Sequence, residues 1–162
     1  MIKPAKYKHP SASVTIKTEV VCPNDTNPMG ILQGGRLVEW MDIAAAVCAQ
    51  MHAGKICVTA SINRVDFNAA AKIGDIIHIK AVITRAFNSS MEIFVQAYSN
   101  KFLAGTKKLI SEAYFNFVAL DDTGRATPVI AVKAESLPEK KQFAAALIRR
   151  NEKLKEKKSS AV

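Results

Sequence analysis

The segment Arg36-Leu-Val-Glu-Trp-Met-Asp-Ile-Ala-Ala-Ala-Val-Cys-Ala-Gln-Met-His-Ala53 contains neither glycine nor proline. Its apolar residues recur at the spacing of one helical face: Leu37, Trp40, Met41, Ala44, Ala45, Cys48 and Met51. This periodicity predicts one helix over residues 35–53, and Gly54 is the expected terminator. Because the segment is apolar nearly all round, we expect the helix to be buried on most sides.

Around this helix the hydrophobic period is two residues, which is typical of β-strands. Val14, Ile16 and Val20 alternate with polar residues before the helix. After it, four strands are predicted, at about 56–67, 75–86, 90–100 and 105–120. Ile77, Ile79, Ala81 and Ile83 should share one face, as should Met91, Ile93, Val95 and Ala97. Because no helix separates these four strands, the pattern excludes alternating βαβ winding and predicts an α+β fold, an antiparallel sheet wrapped around the central helix.

The C-terminal part is predicted to form a second helix on the surface. Ser136 and Glu139 have the spacing of a capping box at its start. Phe143, Leu147 and Leu154 are spaced as an apolar stripe along it.

Composition and charge narrow the function classes. The 162 residues are 49% apolar and 23% charged, which suits one globular domain and excludes a disordered chain. The net charge of +9 lies mainly in the two ends: residues 139–162 hold eight basic and three acidic residues, and residues 1–8 hold three lysines. The body is nearly neutral, which argues against a nucleic-acid-binding protein. We expect the basic ends to be solvated, with phosphate binding as the less favoured alternative.

The expected location is the cytoplasm, without membrane insertion. No apolar run reaches the roughly 20 residues of a membrane helix, and the N-terminus has no apolar signal region. Three cysteines without metal-ligand spacing suit reduced thiols. The histidines form no HExxH motif, and the chain has no P-loop and no GxSxG elbow, so neither a metal nor another cofactor is expected.

Three features could carry chemistry. Asn27 stands in a loop of turn formers, and alone it would be read as a turn residue. Gly34 and Gly35 open the helix, where exposed N–H groups can stabilise an oxyanion, although close packing alone would also require glycine. Asp42 has no basic residue one turn away on either side, so its carboxylate is either functional or on a wet helix edge.

Taken together, these residues resemble a known family. Asp25-Thr-Asn27, Gly30, Gly34-Gly35 and Asp42 form the pattern D-x-N-x-x-G-x-x-x-G-G-x-x-x-x-x-x-D, which is similar to that of the hotdog-fold acyl-CoA thioesterases. Further similarity lies in Val58-Thr-Ala-Ser61, Val65-Asp-Phe67, Ile73-Gly-Asp75 and Arg85 to Ile93. The chain departs from the family pattern in three places. Gln33 replaces the frequent His or Phe, Asn68-Ala-Ala70 replaces Leu-x-Pro, and Ala46 stands where some related enzymes have a hydroxyl residue.

The resemblance implies a hotdog domain over residues 13–133, between a basic tail (1–12) and a basic helix with its tail (134–162). It implies hydrolysis of acyl-CoA to a carboxylic acid and coenzyme A, within fatty acid metabolism. Asp42 would be general base or nucleophile, and Asn27 with Gly34 or Gly35 would polarise the carbonyl. Coenzyme A is then part of the substrate, for which the binding candidates are Arg64, Lys72, Arg85, Ser89 and Ser90, with Lys107 as a weaker candidate.

The spacing adds a prediction about assembly. Gly34 and Asp42 are eight residues apart, or about 12 Å along a helix. One chain therefore cannot bring both to the same carbonyl, whose reacting groups lie within about 3–3.5 Å. The predicted unit is at least a homodimer, and the resemblance implies a homohexamer built as a trimer of dimers. The alternatives are a non-hydrolytic hotdog acyl-CoA-binding protein and a hotdog dehydratase.

Overall fold

The computed structural model describes residues 6–159. The elements in chain order are β1 (Tyr7–Lys8), β2 (Thr15–Val20), α1 (Gly34–Ala53), β3 (Cys57–Phe67), β4 (Ile76–Ala86), β5 (Ser90–Lys101), β6 (Thr106–Ala119), β7 (Ala131–Val132) and α2 (Leu137–Ser159). Short 3₁₀ helices occupy Pro10–Ser13, Pro23–Asp25 and Phe102–Ala104. The central helix and the four strands after it lie within about a residue of their predicted limits.

The main sheet has five antiparallel strands in the order β2-β4-β5-β6-β3. Its inner face packs on α1, and the predicted inward residues of β4 and β5 are at most 1% exposed. This arrangement confirms the α+β prediction of an antiparallel sheet around one central helix. Since β3 is an edge strand, its outer side has no strand neighbour among the described residues.

The central helix is buried on one side only. Leu37, Trp40, Met41, Ala44, Ala45 and Cys48 are covered by the sheet, as predicted. Met51 is 49% exposed, and Ile43 and Val47 are exposed as well. The expectation that α1 is buried on most sides is therefore wrong for the single chain. The physical reason is that one curved sheet can cover only one face of a helix. On this face Met51 contacts the edge strand β2, because the Thr15 hydroxyl lies 3.8 Å from Met51 Sδ.

Both ends of α1 are well defined. Gly54 adopts a left-handed conformation with φ of 63°, and its N–H bonds Gln50 O at 2.8 Å. Lys8 Nζ donates to Met51 O at 3.2 Å and to His52 O at 2.8 Å. A cation at this position complements the negative end of the helix dipole. Lys8, from the segment expected to be a solvated tail, thus contacts the body.

Helix α2 lies across the outer face of the sheet. Its capping box is confirmed: Ser136 N–H donates to Glu139 Oε2 at 2.9 Å, and Glu139 N–H to Ser136 Oγ at 3.3 Å. The predicted apolar stripe is wrong beyond Phe143, because Leu147 and Leu154 are 39% and 47% exposed. The helix instead turns Ala146, Arg149 and Lys153 toward the sheet, whose outer face is polar there.

Candidate active site

The loop before α1 is held by a buried carboxylate. Asp25 is 6% exposed, and its oxygens accept from Cys22 N at 2.9 Å and from Arg36 Nε at 2.9 Å. Gln33 adds two contacts, its backbone N–H to Asp25 O and its side-chain amide to Thr26 O, both at 2.9 Å. The first turn of α1 and the loop therefore form one rigid unit around Asn27.

Asn27 uses only one end of its amide to build this loop. Its Oδ1 accepts the N–H groups of Met29 at 3.0 Å and Ile31 at 3.2 Å. No acceptor among the described residues contacts its Nδ2, so the amide nitrogen remains as a donor toward solvent. Gly30, next in the loop, has φ of 69°, a conformation that favours glycine.

The first N–H groups of α1 also remain available. Gly34 and Gly35 lie in the first turn, where the helix itself supplies no acceptor, and no other acceptor in residues 6–159 contacts them. A Cβ on Gly34 would lie 3.2 Å from two ring atoms of Phe67, whereas one on Gly35 would meet nothing within 4 Å. Close packing thus explains Gly34, while Gly35 is explained by neither packing nor a positive φ.

A cavity of about 370 Å³ opens beside the start of α1. It is lined mainly by apolar side chains, including Ile31, Leu37, Phe67, Ala69, Ala70 and Ile110. Ala69 and Ala70 lie in the segment Asn68-Ala-Ala70, where the sequence departs from the family pattern. Small side chains at this wall leave space for an apolar group next to the free N–H donors of the helix.

Asp42 lies two turns further along α1, at the side of the sheet edge. Its side chain is half-buried, and Thr59 of β3 donates its hydroxyl to Asp42 Oδ1 at 2.8 Å. No basic group contacts this carboxylate among the described ion pairs. The sequence analysis did not identify Thr59 as a partner of Asp42, because 17 residues separate the two. Thr59 was included only as part of the segment Val58-Thr-Ala-Ser61 that is similar to the family.

A bulge in β3 decides which way Thr59 faces. Thr59 pairs with Phe117 and Ser61 pairs with Asn116, so Ala60 is an extra residue between them. Thr59 therefore faces α1 and Ser61 faces α2, although strict alternation would put both on one side. No signal in the sequence identifies this bulge.

The predicted coenzyme-binding residues do not form one cluster. Arg64 is 80% exposed and pairs with Asp66 at 3.1 Å, and Lys72 is exposed in a turn. Arg85 Nη1 donates to Phe143 O at 3.0 Å and its guanidinium lies 4.0 Å from that ring, so Arg85 contacts α2. Ser90 Oγ accepts from Arg150 Nη1 at 2.9 Å. Ser89 is half-buried in the neighbouring turn, and Lys107 lies over the ring of Tyr98.

The Cys48 thiol is not activated as a nucleophile. Burial raises the pKa of the Cys48 thiol to about 11, as expected of a core cysteine and not of a nucleophile.

Among residues 6–159 no three His, Cys, Asp or Glu side chains converge as ligands for a metal ion. None of the helices in this range is both long and apolar enough to cross a membrane.

Among the solved structures with the same architecture are those of acyl-CoA thioesterases. A hexameric acyl-CoA thioesterase is 35% identical, with a TM-score of 0.90 over 93% of this chain and 96% of that one. The acyl-CoA hydrolase of Staphylococcus aureus, solved in complex with butyryl coenzyme A, coenzyme A and coenzyme A disulfide, is 36% identical, with a TM-score of 0.87 over 96% of both chains.

The Staphylococcus aureus enzyme has also been solved as three alanine variants, of one asparagine, one aspartate and one threonine. In that chain the asparagine precedes the aspartate by 15 residues, and the threonine follows it by 17. The same two spacings separate Asn27, Asp42 and Thr59.

Sequence comparison also finds thioesterases and acyl-CoA thioester hydrolases. The profile of the thioesterase superfamily matches residues 29–101. Acetyl-coenzyme A thioesterase of Mus musculus is 39% identical over 64% of this chain, which spans 19% of that protein's length. An uncharacterised acyl-CoA thioester hydrolase of Bacillus subtilis, YkhA, is 34% identical over 91% of this chain and 86% of its own. Since this similarity extends over nearly the whole of both proteins, the chain belongs to the hotdog-fold acyl-CoA thioesterase family.

Proposed function

We propose that the protein hydrolyses the thioester bond of acyl-CoA and releases a carboxylic acid and coenzyme A. The observation that carries the proposal is the Asp42 carboxylate, which is half-buried, has no cationic partner among the described ion pairs and is oriented by Thr59 at 2.8 Å. Membership of the acyl-CoA thioesterase family favours hydrolysis of acyl-CoA over binding of acyl-CoA without a reaction. The dehydratase alternative needs a histidine beside a carboxylate, and no histidine contacts Asp42 in the described part of the chain.

The carbonyl would be polarised at the start of α1. Gly34 or Gly35 N–H and Asn27 Nδ2 are donors that meet no acceptor in residues 6–159, and the positive end of the helix dipole adds to their effect. Charge that develops on the carbonyl oxygen during attack is stabilised by such preorganised donors. The apolar cavity beside Gly34 would take the acyl chain.

Asp42 would activate the nucleophile. Thr59 occupies Oδ1, so Oδ2 can accept a proton from water while the water oxygen bonds to the carbonyl carbon. The C–S bond then breaks, and the proton passes from Asp42 to the leaving thiolate. Direct attack by Asp42 to form a mixed anhydride, which water then hydrolyses, is the alternative. Coenzyme A enters as part of the substrate, and water alone balances the reaction.

The active site would be shared between two protomers. Asp42 and the N-terminus of its own helix are too far apart to act on one carbonyl, so Asn27 and Gly34 would come from a partner chain. The uncovered apolar face of α1, with Ile43, Val47 and Met51, supplies a surface for such a dimer. A second surface is the edge of β3 beside Asp42, which has no strand neighbour among the described residues. We further propose a hexamer of three dimers and a cytoplasmic location, because hexameric and cytosolic acyl-CoA hydrolases are among the relatives.

The test is thiol release from acyl-CoA of increasing chain length, with the wild type, Asp42→Ala and Glu39→Gln. Asp42→Ala should lose at least ~100-fold in kcat, the lower range for general acid–base catalysis. Glu39 is a matched control, because it is a carboxylate on the same helix that pairs with Arg36 at 2.8 Å. A folded Asp42→Ala protein with near-wild-type turnover would contradict the assignment, as would equal loss in Glu39→Gln.

A further inference from the structure

The hairpin formed by β5 and β6 extends beyond the rest of the sheet. The pairing of β4 with β5 ends at Asn100, and the pairing of β3 with β6 ends at Ser111. Strands β5 and β6 continue to pair with each other beyond both points, and the turn Phe102–Ala104 joins them. The hairpin tip, residues 101–108, therefore has no other strand beside it among the described residues.

An exposed leucine stands at the end of the hairpin tip. Leu103 is fully exposed, and no other large apolar side chain in the described residues is as exposed. The residues that follow it, Ala104 and Gly105, are exposed as well. Since single apolar side chains are common on protein surfaces, the meaning of Leu103 depends on the groups around it.

Only positive charge surrounds this leucine. Lys101, Lys107 and Lys108 are exposed, and none of them forms an ion pair among the described residues. The chain has no acidic residue between positions 93 and 111. Lys107 Nζ lies 4.3 Å from the centre of the Tyr98 ring, and Lys108, next along β6, points to the other face of the hairpin. Lysines thus flank the leucine on both faces.

The turn beside the hairpin has the same character. Asp75 Oδ2 accepts hydrogen bonds from Ser99 Oγ of β5 and from Lys72 N, both at 3.0 Å, which ties the turn to the hairpin. The Asp75 carboxylate is buried, whereas Lys72 and Ile73 are exposed. The turn therefore adds a fourth lysine and a second exposed apolar side chain at this end of the sheet.

We propose that the hairpin tip binds the surface of an anionic lipid bilayer. Lysines next to an exposed apolar side chain suit such a surface, because the ammonium groups attract anionic headgroups and the leucine leaves water. Charge argues against a second copy of this chain as the occupant, since each copy carries a net charge of +9. The contact is peripheral and needs no membrane-spanning helix.

The hairpin tip also adjoins the apolar cavity beside α1. Ile110, which lines that cavity, follows the tip by two residues, and its carbonyl accepts from Asn68 N at 2.8 Å on the opposite wall. The link to activity rests on the proposed function: long acyl chains partition into lipid surfaces. A protein bound through this tip would hold its acyl cavity close to such substrates.

The test is sedimentation of the full chain with phospholipid vesicles, in the absence of substrate. Wild type should bind vesicles made of equal parts of phosphatidylcholine and phosphatidylserine at low salt. Binding to vesicles of phosphatidylcholine alone should be at least ~10-fold weaker, and high salt should also weaken it. Equal binding to both kinds of vesicle, or to neither, overturns the proposal. The result does not depend on whether the protein hydrolyses acyl-CoA.

Two pairs of adjacent lysines separate the hairpin tip from the overall charge. The double variant Lys107→Gln, Lys108→Gln should weaken binding to the anionic vesicles about 30-fold, from the loss of two charges near the surface. The control is Lys140→Gln, Lys141→Gln, which removes the same charge from an exposed part of α2 and should change binding much less. Equal weakening by the two double variants overturns the proposal, because net charge alone would then explain the binding.

Leu103 distinguishes a bilayer from other anionic partners such as a nucleic acid. Leu103→Ser should weaken vesicle binding about tenfold, whereas Leu137→Ser, at an exposed position of α2, should not. In Leu103→Trp, the fluorescence emission should shift to shorter wavelength when anionic vesicles are added, while the buried Trp40 contributes a constant signal.

Two results at this position contradict a lipid partner. If the lysine variants weaken binding but Leu103→Ser and the emission of Leu103→Trp show no change, the tip recognises charge alone and the bilayer assignment is wrong. If Leu103→Ser instead lowers the mass of the assembly in sedimentation equilibrium and leaves vesicle binding unchanged, the tip is a contact between copies of the chain.

Discussion

Thr59 orients the carboxylate on which the proposed chemistry depends. Without its hydroxyl, Asp42 Oδ1 would lose a bond of 2.8 Å and the carboxylate could rotate away from the water. We expect Thr59→Ala to lower kcat by about 10- to 100-fold, the worth of one hydrogen bond to a charged group. Thr59→Ser keeps the hydroxyl and should restore most of the rate in the thiol-release assay. If serine and alanine are equally slow, the methyl group and not the hydrogen bond is what matters.

His52 predicts a pH dependence of stability. Its ring is fully buried in the last turn of α1, its Nε2 donates to Ile130 O at 3.0 Å, and its Nδ1 has no partner in the described chain. Burial lowers the pKa of His52 below 6.5, so the unfolded chain binds the proton more readily. The stability from the neutral ring is therefore complete above pH 6.5 and is lost as the pH falls toward the folded pKa.

The measurement is the urea midpoint of unfolding between pH 7.5 and pH 5. The midpoint of the wild type should fall over this range, and His52→Gln should show a smaller fall although it starts lower. Parallel pH profiles for the two proteins would mean that other groups cause the loss.

At the level of elements, the first turn of α1 offers a matched pair of glycines. A methyl group on Gly34 would press on Phe67, which lines the apolar cavity, whereas Gly35 has open space. We expect Gly34→Ala to lower kcat/KM at least ~10-fold through displacement of the cavity wall. Gly35→Ala keeps its N–H and should retain activity. The comparison uses thiol release with one acyl-CoA, and equal effects of the two changes would show that the packing against Phe67 has no influence.

The two edge strands of the sheet contact different residues of α1. Thr15 of β2 lies 3.8 Å from Met51 Sδ, and Thr59 of β3 bonds Asp42. Helix α1 also exposes Ile43 and Val47, so it presents an apolar surface that a second copy can cover.

At the scale of the whole molecule, the proposed sharing of the site between two protomers predicts complementation between two inactive variants. Asn27→Ala and Asp42→Ala proteins are mixed and allowed to exchange subunits. A mixed dimer then contains one site with both residues and one with neither, so activity should return. Half of a random mixture is mixed dimers with one good site each, so recovery should approach roughly a quarter of wild type. No recovery after proven exchange would place both residues on one carbonyl from the same chain.

Local sequence determined the elements of this protein. The change from helical to two-residue period at Gly54 and the capping box at Ser136 each depend on neighbours in the chain, and both are confirmed. The inward faces of β4 and β5 were predictable for the same reason, because alternation along a strand assigns each side chain to a face. The candidates Asn27, Gly34 and Asp42 came from residue types at fixed spacing in one segment.

Tertiary structure alone decided which residues meet. The bulge at Ala60 gave Asp42 its partner Thr59 and turned Ser61 toward α2. The stretch Val58-Thr-Ala-Ser61 has no regular alternation of apolar and polar residues in which an inserted residue could be recognised. The stripe of α2 was mispredicted because the sheet beneath it carries buried Glu92, which selects Arg149 and not a leucine. Contacts between residues distant in sequence depend on how the strands pair and twist. Strand pairing and twist exist only in the folded chain.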